Sequence, residues 1–204
     1  MKKLLMEFIG TFFFVLAIVM TGNAIAIAAM LMAWLYIGGY VSGAHYNPMV
    51  SLAIALSGHL KWREFPHYVA AQVGGAFAAF LMAAFLHGSA VIPAPHATLL
   101  QAFVVEILLA FVLASVILFV AVSKHGSHIY GLAIGFTIPA LAALGGPISG
   151  GLFNPAIALG GALFGLISGQ GFMLMNLLMY VGGAFLGGYL AAYAYHYFLP
   201  SSER

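Results

Sequence analysis

The chain has 204 residues, of which 64% are hydrophobic and only 5% are charged. This number of charged side chains is too small to cover the surface of a water-soluble domain of this size. The composition therefore favours a single membrane domain over residues 1–204. The absence of cysteine excludes disulfides, thiolate metal sites and cysteine nucleophiles, and a formal net charge of +2 is too small to indicate nucleic-acid binding.

Six apolar segments are long enough to cross a hydrocarbon layer roughly 30 Å thick as helices. They lie at about 4–22, 24–42, 66–87, 99–122, 128–146 and 171–197. The first segment follows Met1-Lys2-Lys3, but no small-residue cleavage site and polar mature chain follow it. We therefore predict a retained first span rather than a cleaved signal peptide.

Two further apolar segments are too short to cross a bilayer. Residues 47–57 lie between the second and third spans, and residues 154–165 lie between the fifth and sixth. Each begins with Asn-Pro, where asparagine is a good helix N-cap and proline fits the first helical turn. The sequence therefore predicts two half-helices with well-defined starts.

The positions of lysine and arginine predict the orientation of the chain. In a six-span topology all of them fall on one side: Lys2, Lys3, Lys61, Arg63, Lys124 and Arg204. The loops on the other side contain neither residue type. The positive-inside rule thus predicts a multi-pass protein of the plasma (inner) membrane with both termini in the cytoplasm.

The sequence also contains an internal repeat. Residues 42–48 (SGAHYNP) correspond to 149–155 (SGGLFNP), and VGGAF occurs at both 73–77 and 181–185. The first repeat covers about 1–87 and the second about 99–198. Because each half has three spans, an odd number, the halves must be inverted in the membrane, and the matching interruptions predict a solute pathway between them.

The two half-helices predict the character of this pathway. If they insert from opposite faces, their N-termini meet near the bilayer centre, each with about half a positive charge. Cations would be repelled there, while the side-chain amides of Asn47 and Asn154 could donate hydrogen bonds to a passing oxygen. This pattern favours a pore that orients neutral polar solutes.

These motifs resemble the aquaporin or major intrinsic protein family over almost the whole chain. The resemblance is carried by residues 7–12 (EFIGTF), 42–50 (SGAHYNPMV), 72–75 (QVGG), Glu106 and 150–156 (GGLFNPA). It implies an all-α membrane bundle of six transmembrane helices plus two re-entrant half-helices, in two inverted three-span repeats. It also implies a homotetramer in the lipid bilayer that passively conducts water or small uncharged solutes. No cofactor, metal or catalytic residue is expected.

The chain departs from the family pattern at both motifs. The first motif is completed by Pro48 and Met49, where the family usually has alanine after proline, and the second by Pro155 and Ala156. The family usually has arginine three residues after the second asparagine, and this chain has Ile157.

The resemblance places the other filter positions at Ile27, Ala142 and Gly151, by their spacing from the motifs. The implied filter, completed by Ile157, is wide, apolar and uncharged. We therefore expect a weaker preference for water and passage of bulkier neutral solutes. Undissociated metalloid acids, small organic acids, urea, ammonia and dissolved gases all remain candidates.

Three polar positions and one loop admit alternative interpretations. Glu7 and Glu106 lie in apolar spans, where a charge costs at least about 2.5–3.5 kcal/mol. The resemblance implies that they hold loop N–H groups, and the alternative is a proton relay in a proton-coupled secondary transporter. His45, like Met49, is expected at the inner side of the pore, where His45 lines or braces the pore mouth, and the alternative for His45 is a purely structural histidine. The loop from His125 to His128 is either a pH- or metal-sensitive gate or a solvated connection.

Overall fold

The computed structural model describes residues 1–123 and 126–203, and the regular structure in these ranges is helical throughout. The helices are α1 Lys2–Thr21, α2 Ala24–Ser42, α3 Pro48–Leu56, α4 Phe65–His87, α5 Leu99–Ile117 with a π-helical turn Leu118–Val122, α6 Tyr130–Ser149, α7 Pro155–Ser168 and α8 Leu174–Phe198. Six of them are long and apolar enough to cross a membrane. The six predicted spans are confirmed, with ends that differ by at most three residues.

The half-helices α3 and α7 start at the two Asn-Pro motifs. They have 9 and 14 residues, so they are about 14 Å and about 21 Å long at the usual rise per residue and cannot cross the bilayer alone. The Asn47 side chain accepts a hydrogen bond from the Met49 N–H at 2.9 Å, and Asn154 accepts one from Ala156 at 2.9 Å. Each asparagine thereby caps the helix that follows it.

The helices pack as two similar groups that are joined by the half-helices and by the packing of α2 against α6. In the first half α1 packs against α2 and α4, and in the second α5 packs against α6 and α8. The half-helix α3 packs against α8, and α7 packs against α4, so each half-helix contacts a span of the other half. Small residues allow close approach: a Cβ on Gly75 would lie 2.3 Å from the Phe8 carbonyl oxygen.

The lysine and arginine residues in the described ranges gather on one side, which we call the basic face. Lys2 and Lys3 begin α1, and Lys61 and Arg63 precede α4. The Lys3 ammonium lies 3.7 Å from the Glu64 carboxylate, so the starts of α1 and α4 are neighbours. The opposite face carries the turn at 22–23 and the segment 88–98.

Part of the predicted gate and of the orientation argument falls on residues without a structural description. Lys124, His125 and Arg204 lie outside the described residues. His128 is exposed in the turn before α6. A gate in this loop therefore stays a prediction.

Candidate pore

Glu7 is buried in α1, and its carboxylate holds the loop between α2 and α3. One oxygen accepts hydrogen bonds from the Ser42 hydroxyl at 2.6 Å and the His45 N–H at 3.0 Å. The other accepts from the Tyr46 N–H at 2.7 Å and the Gln72 side-chain amide at 2.8 Å. Four donors match the acceptor capacity of an ionised carboxylate, which offsets the cost of burying it.

Glu106 does the same for the loop between α6 and α7. Its first carboxylate oxygen accepts from the Ser149 hydroxyl at 2.7 Å and the Leu152 N–H at 3.0 Å, and the second accepts from the Phe153 N–H at 2.6 Å. Both carboxylates are therefore engaged in holding backbone. This geometry supports the scaffold interpretation and does not favour a proton relay.

The N-termini of α3 and α7 meet through a reciprocal pair of hydrogen bonds. The Asn47 amide donates to the Phe153 carbonyl at 3.0 Å, and the Asn154 amide donates to the Tyr46 carbonyl at 3.1 Å. Each amide nitrogen carries a second N–H, which has no acceptor among the residues that the structure describes. The structure thus brings the two predicted donors together at the junction of the halves.

An unusual backbone conformation precedes each asparagine. Tyr46 and Phe153 have φ of 51° and 33°, in the left-handed region that residues other than glycine rarely adopt. The N–H of each residue is bound by a buried glutamate, and its carbonyl accepts from the asparagine of the other half. The glutamates thus hold the strained turns that aim each of these carbonyls at the asparagine of the other half.

A cavity of about 420 Å³, which we call the vestibule, leads from the basic face to the two asparagines. Lys3, His59 and Glu64 lie at its mouth, and Asn47 and Asn154 lie at its end. Its wall is largely apolar and includes Leu31, Leu35, Ile54, Ile117, Ile134 and Ile138, together with His45. The wall also carries polar side chains, among them Ser42, Tyr68 and Tyr130.

Met49 does not take the place expected for it. It is fully buried and is absent from the vestibule wall. Its side chain packs on α8, where a Cβ added to Gly188 would lie 2.8 Å from the Met49 Cγ. The expectation that Met49 lies at the inner side of the pore is therefore corrected: the larger side chain fills space between α3 and a glycine of the other half.

Replacing Met49 with alanine restores the usual motif, yet we expect it to destabilise the fold by about 2–5 kcal/mol because it leaves a cavity against Gly188. Thermal unfolding of the purified protein in detergent measures the effect. Met173→Ala is the matched control, since Met173 is 65% exposed. Equal midpoints for the two variants would contradict the packing role of Met49.

The four predicted filter residues lie apart from the vestibule wall. Ile27 in α2 and Ile157 in α7 are buried, and Ala142 and Gly151 are partly exposed. Ile157 lies in the first turn of α7, where its N–H donates to the Asn154 carbonyl at 3.1 Å. A Cβ on Gly151 would lie 3.4 Å from the Gly146 nitrogen, so Gly151 lies against the end of α6. Their joint role as a filter stays a prediction.

Two tyrosines take part in the site without having been predicted. The Tyr68 hydroxyl donates to the Ser42 carbonyl at 2.7 Å, and the Tyr180 hydroxyl donates to the Ser149 carbonyl. Each therefore fixes the helix end from which a pore loop starts. The repeat aligns Tyr180 with Gln72 rather than with Tyr68, so the sequence contained no signal for this shared role.

Comparison with known proteins decides the family. A profile of the Major intrinsic protein family matches residues 1–195. The chain belongs to the major intrinsic protein family. Aquaporin NIP1-4 of Oryza sativa subsp. japonica is 34% identical over 223 residues, covering 100% of this chain and 79% of that protein. Aquaporin NIP1-1 of Zea mays is 35% identical over 214 residues, covering 96% and 74%.

The fold also matches that of a protein of known structure. The aquaglyceroporin from Plasmodium falciparum superposes with a TM-score of 0.81 at 22% identity, covering 95% of this chain and 94% of that one. At this identity the similarity shows the fold alone. Taken with its relatives and its six apolar spans, this major intrinsic protein is a multi-pass membrane channel for water or small uncharged solutes.

Proposed function

We propose that this channel is a broad pathway for small neutral solutes, with a filter formed by Ile27, Ala142, Gly151 and Ile157. One observation carries the proposal: the position three residues after Asn154 is a buried isoleucine. The sequence contains no lysine or arginine from residue 125 to residue 203, so the second half brings no cation to this region. An apolar filter selects by size and by the cost of desolvation.

This arrangement favours neutral solutes over both ions and water. An ion would lose its hydration shell against apolar walls, and a cation would also meet the positive ends of two half-helices. A water molecule loses hydrogen bonds at an apolar constriction without gaining a side-chain donor there. Glycerol, urea, ammonia, dissolved gases and undissociated organic or metalloid acids are the solute classes that the proposal admits.

The proposal extends to the assembly and placement of the channel. The basic face supports a cytoplasmic location for both termini in the plasma membrane. The family resemblance supports a homotetramer in which each chain, a single domain of two repeats at about 1–87 and 99–198, has its own pore. The tight engagement of Glu7 and Glu106 supports passive conduction without catalysis.

Stopped-flow light scattering on proteoliposomes tests the filter. We expect glycerol, urea and undissociated acetic acid to enter faster than into empty liposomes, with an influx that rises linearly with concentration. Saturating influx that depends on a pH gradient would support a proton-coupled transporter instead. Permeability to water alone would contradict the wide filter and leave the channel function intact.

A further inference from the structure

A row of four buried side chains leads from the Glu7 carboxylate to the ring of His45. The Gln72 amide nitrogen donates one hydrogen bond to Glu7, at 2.8 Å, and one to the Ser51 hydroxyl oxygen, at 2.9 Å. The Ser51 hydroxyl in turn lies 3.0 Å from the His45 Nδ1. Because all four side chains are buried, each of these contacts needs one donor and one acceptor.

The direction of these hydrogen bonds follows from the carboxylate. An ionised carboxylate can only accept, so the Gln72 amide must turn its nitrogen toward Glu7. The second N–H of that nitrogen makes the Ser51 oxygen an acceptor. The Ser51 hydroxyl keeps its own proton to donate, and among the described residues its acceptor is the His45 Nδ1. The ring is therefore neutral and carries its proton on Nε2.

The Nε2 atom of His45 is open to the vestibule. His45 and Gly43 both belong to the vestibule wall, and a Cβ added to Gly43 would lie 2.9 Å from Nε2. Because glycine has no Cβ, this space stays free beside the ring. Among the residues that the structure describes, Nε2 has no hydrogen-bond partner, and it is not sealed off from open space. Its N–H is therefore available to a solute.

The other hydroxyl groups inside the vestibule are already engaged. Each hydroxyl on its wall that is not solvent-exposed donates to a protein oxygen; these hydroxyls belong to Ser42, Tyr46, Tyr68 and Tyr130. The chain runs inward from the basic-face end of α2 to Asn47, so His45 lies along the vestibule between its mouth and the asparagines. A solute that enters from the basic face meets the His45 N–H first.

We propose that His45 binds the solute in the vestibule through its Nε2–H, and that Gln72 and Ser51 are positioning residues that fix this tautomer. A neutral N–H can donate to the oxygen of a solute such as urea or glycerol. The hydrogen bond replaces one that the solute gives up when it leaves water. The proposal rests on the passage of neutral solutes, and it is independent of which residues form the filter.

The internal repeat shows that this arrangement belongs to one half of the molecule. The aligned pairs are His45 with Leu152, Ser51 with Ala158, and Gln72 with Tyr180. Leucine and alanine have no polar side-chain atom, and the Tyr180 hydroxyl donates to the Ser149 carbonyl. The described part of the second half thus has no counterpart of the His45 donor, although its buried glutamate is present.

Nitrogen NMR on protein with isotope-labelled histidine tests the tautomer, because protonated and unprotonated ring nitrogens resonate at well-separated frequencies. The signals of His45 are those lost in His45→Gln. We expect an unprotonated Nδ1 and a protonated Nε2 at neutral pH. Gln72→Met frees the Ser51 oxygen to accept from Nδ1, so a second tautomer should appear. A proton on Nδ1 in the wild type, or a His45 spectrum that Gln72→Met leaves unchanged, would overturn the proposal.

Urea influx into proteoliposomes tests the donor. His45→Leu copies the second half and removes the N–H, so influx should fall about two- to tenfold, the range that one net hydrogen bond supplies. His45→Gln should recover most of this loss, because its amide can accept from Ser51 and donate where Nε2 did.

The two variants also give the results that would contradict the role of His45. Wild-type influx through His45→Leu, or an equal fall in both variants, would remove His45 as a donor. If His45→Leu does not fold, the wild-type spectrum still decides the tautomer. A wild-type channel that admits water alone would contradict the proposed filter and leave the spectrum of His45 unchanged.

Discussion

Replacing Glu7 with glutamine is expected to destabilise the folded channel by about 2–6 kcal/mol, at about 1–3 kcal/mol for each of two donors left without an acceptor. The amide oxygen can still accept two hydrogen bonds, but the new NH₂ group must face two other donors. In one orientation these are the Tyr46 N–H and the Gln72 amide. Thermal unfolding of the purified protein, read together with water permeability, measures the loss.

Glu64→Gln is the matched control, since it makes the same chemical change on the basic face. The Glu64 carboxylate is partly exposed and lies 3.7 Å from Lys3. A surface pair of this kind contributes about 1 kcal/mol or less. If Glu7→Gln unfolded at the same temperature as Glu64→Gln, the buried carboxylate would not be holding the first pore loop.

The second large effect is expected from Ile157→Arg. If residue 157 lies in the filter as proposed, the guanidinium places a positive charge and several donors in the solute pathway, which raises the barrier for solutes larger than water. We expect influx of glycerol and urea to fall by about tenfold or more, which requires a barrier increase of only about 1.4 kcal/mol. Water permeability should fall less, because water can exchange hydrogen bonds with the guanidinium. Stopped-flow light scattering on matched proteoliposomes measures the ratio.

Ile167→Arg controls for the presence of the charge itself. Ile167 lies on the same half-helix and is 64% exposed, so its substitution should leave the solute-to-water ratio unchanged. Unaltered glycerol influx through Ile157→Arg would remove residue 157 from the filter. An equal fall of glycerol influx in both variants would point to impaired insertion of α7 rather than to a change in selectivity.

The six spans were predictable from sequence because the bilayer allows few alternatives. Its thickness fixes the length of a helix, and unpaired backbone groups are excluded from its interior. The ends were less certain. We predicted that the fifth span ends at residue 146, near Pro147, but α6 continues to Ser149 and ends where Gly150 adopts φ of 89°. A proline within the helix was tolerated, and the left-handed glycine was the true stop.

The pore residues also divide into those that the sequence predicted and those that it did not. The repeat singled out Asn47, Asn154 and the two glutamates, and the structure brings the asparagines together. The position of Met49 could not be predicted, because it depends on which α8 residue lies opposite.

The reciprocal asparagine bonds also set the order in which a working protein can form. Asn47 and its acceptor Phe153 are 106 residues apart, and Asn154 and Tyr46 are 108 apart. Because a chain is synthesised from its N-terminus, the first half is complete long before either bond has its second partner. Conduction is therefore a late property of the nascent chain, and a ribosome that stops before α7 releases five membrane spans and one half-helix with no pore.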